Sequence, residues 1–265
     1  MITNNKKIAL ELRNFIKEVI KGTPFEKIAK SIYHNFSHQK NRLMLDGKKD
    51  DILANKILHR LLEKDSNCID IGCNTGDFLI PILKLAPKGY HLAFEPIPRL
   101  AHRLRKRFPN IDIKEIALSD HEGETIFWYV VNAPALSSLQ KQSWNIHIPD
   151  AITEALKVKV QKLDDIVNKQ VKIHFIKLDV EGTELQVFNG AKQTLKAHRP
   201  YILFEHGKTD SNKKHDHRIY DLLVRECGLE IFQLQDWLDG LPALSRDKFM
   251  ASPAFNFLAV PGNNP

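Results

Sequence analysis

Residues 68–78 read Cys68-Ile-Asp-Ile-Gly-Cys-Asn-Thr-Gly-Asp-Phe78. A short apolar run carries Asp70 near its end and stops at Gly72, which is the pattern of a buried strand running into a tight turn. Gly76 then opens a helix. Glycines at these two positions allow positive φ and let a ligand approach the backbone closely. The helix N-terminus offers unpaired N–H groups to a polar ligand. A dinucleotide fingerprint would read G-x-G-x-x-G, with its middle glycine making room for a pyrophosphate. Here that position is Asn74, and the spacing is G-x-x-x-G. With Asp70 at the strand end, the loop suits a ligand bearing an amino-acid group, whose ammonium needs a carboxylate or carbonyl acceptor.

Outward from this loop, short apolar runs alternate with amphipathic helices. A helix is expected from Asp77 to about Leu85, then a strand at Tyr90–Phe94, a helix at Ile97–Phe108 and a strand at Ile111–Ile116. Further on come Ile173–Leu178, a helix over Thr183–Ala197, Tyr201–Phe204, a helix near Asp216–Cys227, and a last pair at Leu229–Leu234 and Phe255–Val260. Such alternation predicts a doubly wound, mostly parallel sheet with helices on both faces. The second strand runs into Glu95, about 20 residues past the glycine loop, where an acid accepts hydrogen bonds from ribose hydroxyls. Between 125 and 167 the rhythm breaks into shorter β-like pieces, Ile126–Val131 and Val158–Leu163, around a loop containing Trp144. This reads as an insertion beside a ligand cleft.

The chain carries 39 Lys+Arg against 32 Asp+Glu, a net charge of +7. Eleven of those bases, against five acids, fall in residues 1–50. Apolar residues at helical spacing over 8–20 and 25–33 make 1–49 a basic helical cap in front of a near-neutral domain spanning 50–265. Cys68, Cys73 and Cys227 form neither an even framework nor a C-x-x-C pair, which argues against a disulfide scaffold or zinc ribbon and for a reducing compartment. No stretch approaches the roughly 18 apolar residues of a membrane span. A cytoplasmic protein is expected.

Asp70-Ile-Gly-Cys-Asn-Thr-Gly-Asp-Phe, Phe94-Glu-Pro, Ala117-Leu-Ser-Asp120, Ser137-Ser-Leu139 and Ile176-Lys-Leu-Asp-Val-Glu-Gly-Thr-Glu184 occur in that order, followed by Arg199-Pro, Glu205 and Asn256-Phe-Leu-Ala259. Over about residues 50–260 the sequence resembles the FkbM family of S-adenosylmethionine-dependent methyltransferases. The resemblance implies a Rossmann-like class I methyltransferase sheet of seven strands. It also implies methylation of a hydroxyl on a sugar, glycan or small natural product. Cys73 departs from the family's usual alanine, a small apolar exchange that the loop should tolerate.

Carried across residue by residue, the resemblance puts Asp70, Gly72, Asn74 and Gly76 along the methionine end of S-adenosylmethionine, with Glu95 on the ribose. Ala117, Leu118 and Asp120 would stand beside the adenine, although Asp120 also reads as an ordinary turn residue. Methyl transfer from sulfonium to oxygen needs an aligned hydroxyl and a base. Asp179 and Glu181 follow the fourth strand and either can serve, or both can order the loop and cofactor. His206 is a second base candidate. Asp179, Glu205 and His206 together are a possible divalent-cation set, without the spacing of a metal signature. Glu184 is expected to cap its helix or face solvent, Ser137-Ser138 to touch a ligand or cap a helix, and His215-Asp-His217 to lie in a solvated loop. A competing reading, nucleic-acid binding or RNA methylation through the basic N-terminal region, lacks the [DN]-P-P-[YFW] tetrapeptide of base amino methylation.

Overall fold

A computed structural model describes residues 49–141, 150–168, 170–207 and 215–262. The helices expected over 8–20 and 25–33 and Trp144 lie outside the described residues. The chain divides into two compact units, Met1–Asp51 and Ile52–Pro265, and the sheet belongs to the second.

After helix α1 (49–61) come β1 (Cys68–Ile71), α2 (Leu79–Leu85), β2 (His91–Phe94), α3 (Pro98–Arg107), β3 (Asp112–Lys114) and β4 (Ala117–Leu118). A hairpin of β5 (Gly123–Val130) and β6 (Thr153–Gln161) leads to α4 (Leu163–Ile166) and β7 (Phe175–Leu178). Then follow α5 (Glu184–Asn189), α6 (Lys192–His198), β8 (Tyr201–Glu205), α7 (His217–Tyr220), β9 (Leu229–Gln233), α8 (Leu234–Leu238), α9 (Arg246–Ala251) and β10 (Asn256–Pro261). The order β3-β2-β1-β7-β8-β10-β9 makes a seven-stranded sheet. β1 pairs in parallel with β2 and β7, and β10 alone runs antiparallel, between β8 and β9. This is the doubly wound, mostly parallel sheet expected from the alternating pattern.

The strand sequences explain the layers. β1, β2 and β7 are buried at every position, as befits parallel strands covered on both faces. One face packs Ile69, Phe94, Ile176, Phe204 and Phe257 against Phe188, Leu222 and Phe249. The other packs Cys68, Phe175, Leu203 and Leu258 against α1 and α2 through Leu53, Ile57, Leu58 and Ile82. Each fully buried Phe or Leu contributes on the order of 2 kcal/mol.

The run Ile111–Ile116 gives β3, which stays in the large sheet, while the next strand, β4, joins β6 and β5 in a separate three-stranded sheet. Two expectations need correction. The pieces expected as Ile126–Val131 and Val158–Leu163 are parts of longer strands paired from Gly123↔Val160 to Val130↔Thr153. The helix expected over Thr183–Ala197 is two helices. Gly190 lies between them, where a Cβ would stand 1.9 Å from the Ser119 carbonyl oxygen, and the Asp164 carboxylate accepts from the Gln193 and Thr194 amides to start α6.

Candidate functional site

A cleft opens at the carboxyl ends of β1, β2 and β7, roofed by the three-stranded sheet. It lies where neighbouring strands β1 and β7 connect to opposite sides, β1 to β2 and β7 to β8, the place where open α/β sheets bind ligands. Gly72, Asn74, Glu95, Ala117, Leu118, Asp179 and Glu181 line it, together with Ile97, Phe127, Pro134 and Leu139. Sequence reading did not single out these apolar members as ligand contacts because their spacing is that of ordinary core.

Local backbone geometry explains the turn. Gly72 has φ +78°, and a Cβ on it would meet the Asp179 carbonyl oxygen at 1.8 Å. The crowding neighbour is thus the β7 end, which the missing side chain lets close against the loop. Asn74 tolerates φ +47°, as asparagine does more readily than most residues. Gly76, at φ +79°, abuts Leu104 and Phe108, so its lack of a side chain seats α3 against the loop; it is not among the cleft-lining residues. Asp120 is exposed and bonds His121 and Ser119, also outside the lining.

Glu95 is buried, and each oxygen accepts one backbone amide: Oε2 from Asn74 at 2.8 Å and Oε1 from Ile97 at 2.9 Å. It thereby ties the glycine loop to the β2 end. Burial pushes its carboxyl up to about 7; the two amides oppose that rise and Asp70 adds to it. Asp70 is 2% exposed, and burial lifts it to about 7 as well, with Lys177 opposing and Asp179 assisting. Asp70 Oδ2 and Asn74 Oδ1 are sealed from solvent without a hydrogen-bond partner. Buried acceptors of this kind call for a donor.

Glu181 also adopts positive φ, +52°. Burial, then the carboxyls of Asp179, Glu205 and Glu184, push it up to about 9 despite Lys177. Ser138 donates to the Glu181 carbonyl oxygen at 2.7 Å, and Ser137 accepts from the Val130 amide. The serine pair therefore fastens the hairpin onto the loop after β7.

His206 is placed differently from its expected role. Its Nε2 accepts from the Asp216 amide at 3.1 Å, so Nδ1 carries the proton and faces Glu184 Oε2 at 3.0 Å. Both nitrogens are thus engaged, and His206 does not line the cleft. Its assignment as base is corrected on this ground. Glu184, expected at a cap or in solvent, is 2% exposed and also accepts from the Gly182 amide. His215, expected in a solvated loop, lies in a loop but is buried against His206, Phe249 and Phe257. Among the described residues no three His, Cys, Asp or Glu side chains converge to hold a metal ion, so Asp179, Glu205 and His206 do not form the cation set. Lys177, buried in β7, stands 3.3 Å from Asp179. A lysine inside an otherwise apolar strand was its sequence signal. The Glu184–His206 pair, 22 residues apart, had none.

Residues 70–231 match the family described as "Methyltransferase FkbM domain". Among curated relatives, the 2-O-methyltransferase NoeI of Sinorhizobium fredii (strain NBRC 101917 / NGR234) is 31% identical over 154 residues, 51% of this chain and 61% of that protein. The AMB antimetabolite synthetase AmbE of Pseudomonas aeruginosa is 24% identical over 214 residues, 67% of this chain and 10% of that protein. The chain thus spans less than two thirds of the length of either relative. A solved structure, the methyltransferase FkbM from Methylobacillus flagellatus KT, superposes with a TM-score of 0.47 at 14% identity, covering 75% of this chain and 44% of that one.

Proposed function

The chain belongs to the FkbM-domain methyltransferases, and from that premise we propose that it binds S-adenosylmethionine in the cleft and methylates a hydroxyl of a sugar, glycan or other small acceptor. The carrying observation is the pair of sealed, unpartnered acceptors Asp70 Oδ2 and Asn74 Oδ1 beside the glycine turn. Asn74 lines the cleft and Asp70 is buried at the strand end just before the turn; both fit the methionine end of the cofactor, whose ammonium would supply a donor there. Glu95, already fixed by two amides, would accept from the ribose, and the apolar lining at Ile97, Ala117, Leu118 and Phe127 would take the adenine.

When bound, the cofactor supplies a methyl group on a cationic sulfonium. The surrounding carboxyls complement that positive charge, and Asp179 and Glu181 sit where the acceptor would enter. Asp179 would accept the hydroxyl proton and align its oxygen with the methyl group that the cofactor would supply. Glu181, held neutral near pH 7, donates a hydrogen bond to a second acceptor oxygen. The sugar hydroxyl as acceptor rests on the likeness to the 2-O-methyltransferase NoeI. Three free, buried cysteines accord with a cytoplasmic site of action.

The test pairs calorimetric titration of S-adenosylhomocysteine with a methyl-transfer assay over a panel of mono- and oligosaccharides, read as a one-methylene mass gain. Micromolar cofactor binding and a methylated sugar support the reading. Failure to bind the cofactor overturns it.

A further inference from the structure

We propose that Lys177 is a positioning residue for methyl transfer: from beneath the cleft, its ammonium fixes the Asp179 carboxylate as acceptor of the substrate hydroxyl's proton. The proposal rests on the methyl-transfer reading above and adds a residue to it. Lys177 lies in the fully buried strand β7, where lysine is scarcely found unless paired. Its Nζ stands 3.3 Å from Asp179 Oδ2, and the Phe78 ring lies 5.9 Å from the ammonium. Asp70 of β1 is its register partner, and Glu205 at the end of β8 acts on its charge. Carboxyls therefore bear on it from β1, from β8 and from the loop beyond its own strand. Burial opposes the ammonium, yet Asp179, Glu205 and Asp70 outweigh burial and hold its pKa above the ordinary value.

A buried cation committed to a carboxylate at the cleft edge removes that carboxylate's rotational freedom. It immobilises one Asp179 oxygen, while a carboxylate keeps acceptor capacity for a hydroxyl on the other. Misplacement of a reacting group by about 1 Å costs on the order of 100-fold in rate, and Lys177 is the group that prevents it.

Lys177→Met keeps the apolar stem and removes the charge. We expect kcat to fall roughly 100-fold, with cofactor KM moved less than about threefold. In an Asp179→Asn background the same substitution should lower kcat by less than about threefold more, because the lysine acts through that carboxylate. Equal losses in the two backgrounds overturn the proposal. Infrared difference spectra of the cofactor-free protein give a second readout. The titration midpoint of the buried carboxylic C=O band should move to higher pH in Lys177→Met, since Asp70 and Glu181 lose a cation favouring their ionised forms. An unmoved midpoint overturns the proposal. If Lys177→Met does not fold, the double variant, which has lost one charge of each sign, decides by comparison with Asp179→Asn. A further loss beyond about threefold counts against the proposal, and a smaller one supports it. A wild-type protein that methylates nothing defeats the functional reading instead, and the infrared comparison still judges the lysine.

Discussion

The Ser138 hydroxyl donates a 2.7 Å hydrogen bond to the Glu181 carbonyl oxygen, joining residues 43 positions apart. One belongs to the hairpin connection over the cleft, the other to the left-handed turn after β7. Ser138 is fully buried, so the bond is shielded from competing water. Ser138→Ala should cost about 1–3 kcal/mol in unfolding free energy, the usual range for removing one partner of a buried hydrogen bond. It should also lower methyl-transfer kcat about tenfold, with cofactor affinity little changed. Thermal melts and steady-state kinetics check this; wild-type kcat would show that the bond does not hold the loop for catalysis.

Glu95 joins the glycine loop to the second strand through two amides. Glu95→Ala should weaken S-adenosylhomocysteine binding by at least tenfold, or about 1.4 kcal/mol, while Glu95→Gln, which keeps one acceptor oxygen, should lose less. Calorimetric titration measures both, and equal affinity for wild type and Glu95→Ala would remove Glu95 from the site.

The pH dependence of stability follows from Asp70 and Glu95, both raised to about 7 in the folded chain. The folded state then binds protons that the unfolded state has already released, so these groups make stability fall as pH rises from the ordinary carboxylate range through about 7. Their contribution is fully present only below that ordinary range. Scanning calorimetry of the cofactor-free protein should give a Tm that falls from pH 5 to pH 8, with a flatter slope in Asp70→Asn. Cofactor affinity should rise over the same interval, because the ionised carboxyls attract the sulfonium.

His206 bridges Glu184 and the Asp216 amide. His206→Ala should destabilise the fold by about 3–5 kcal/mol, the cost of leaving a buried ionisable partner uncompensated, without changing the shape of the kcat pH profile in the protein that remains folded. A missing limb in that profile would restore histidine as a base.

Much of this was legible in the sequence because it depends on local pattern. The apolar run Cys68–Ile71, the turn at Gly72 and the strand end before Glu95 each declare themselves within about ten residues. A parallel order follows from alternation alone. Period and punctuation do not report that Ala117–Leu118 form a strand of a second sheet beside β6. They do not report close approach either: Gly190 looks like a tolerable helix glycine until the Ser119 carbonyl stands against it.

The sequence by itself determined the doubly wound sheet, the glycine turn and the acidic strand ends, since each is written in residues adjacent along the chain. Tertiary structure decided which acids work together. It placed Lys177 against Asp179, spent His206 on Glu184, left Asp70 Oδ2 sealed without a donor and turned Gly76 toward α3. Those outcomes depend on burial and on distances between strands, which set charge, protonation and hydrogen bonding across residues that the sequence keeps far apart.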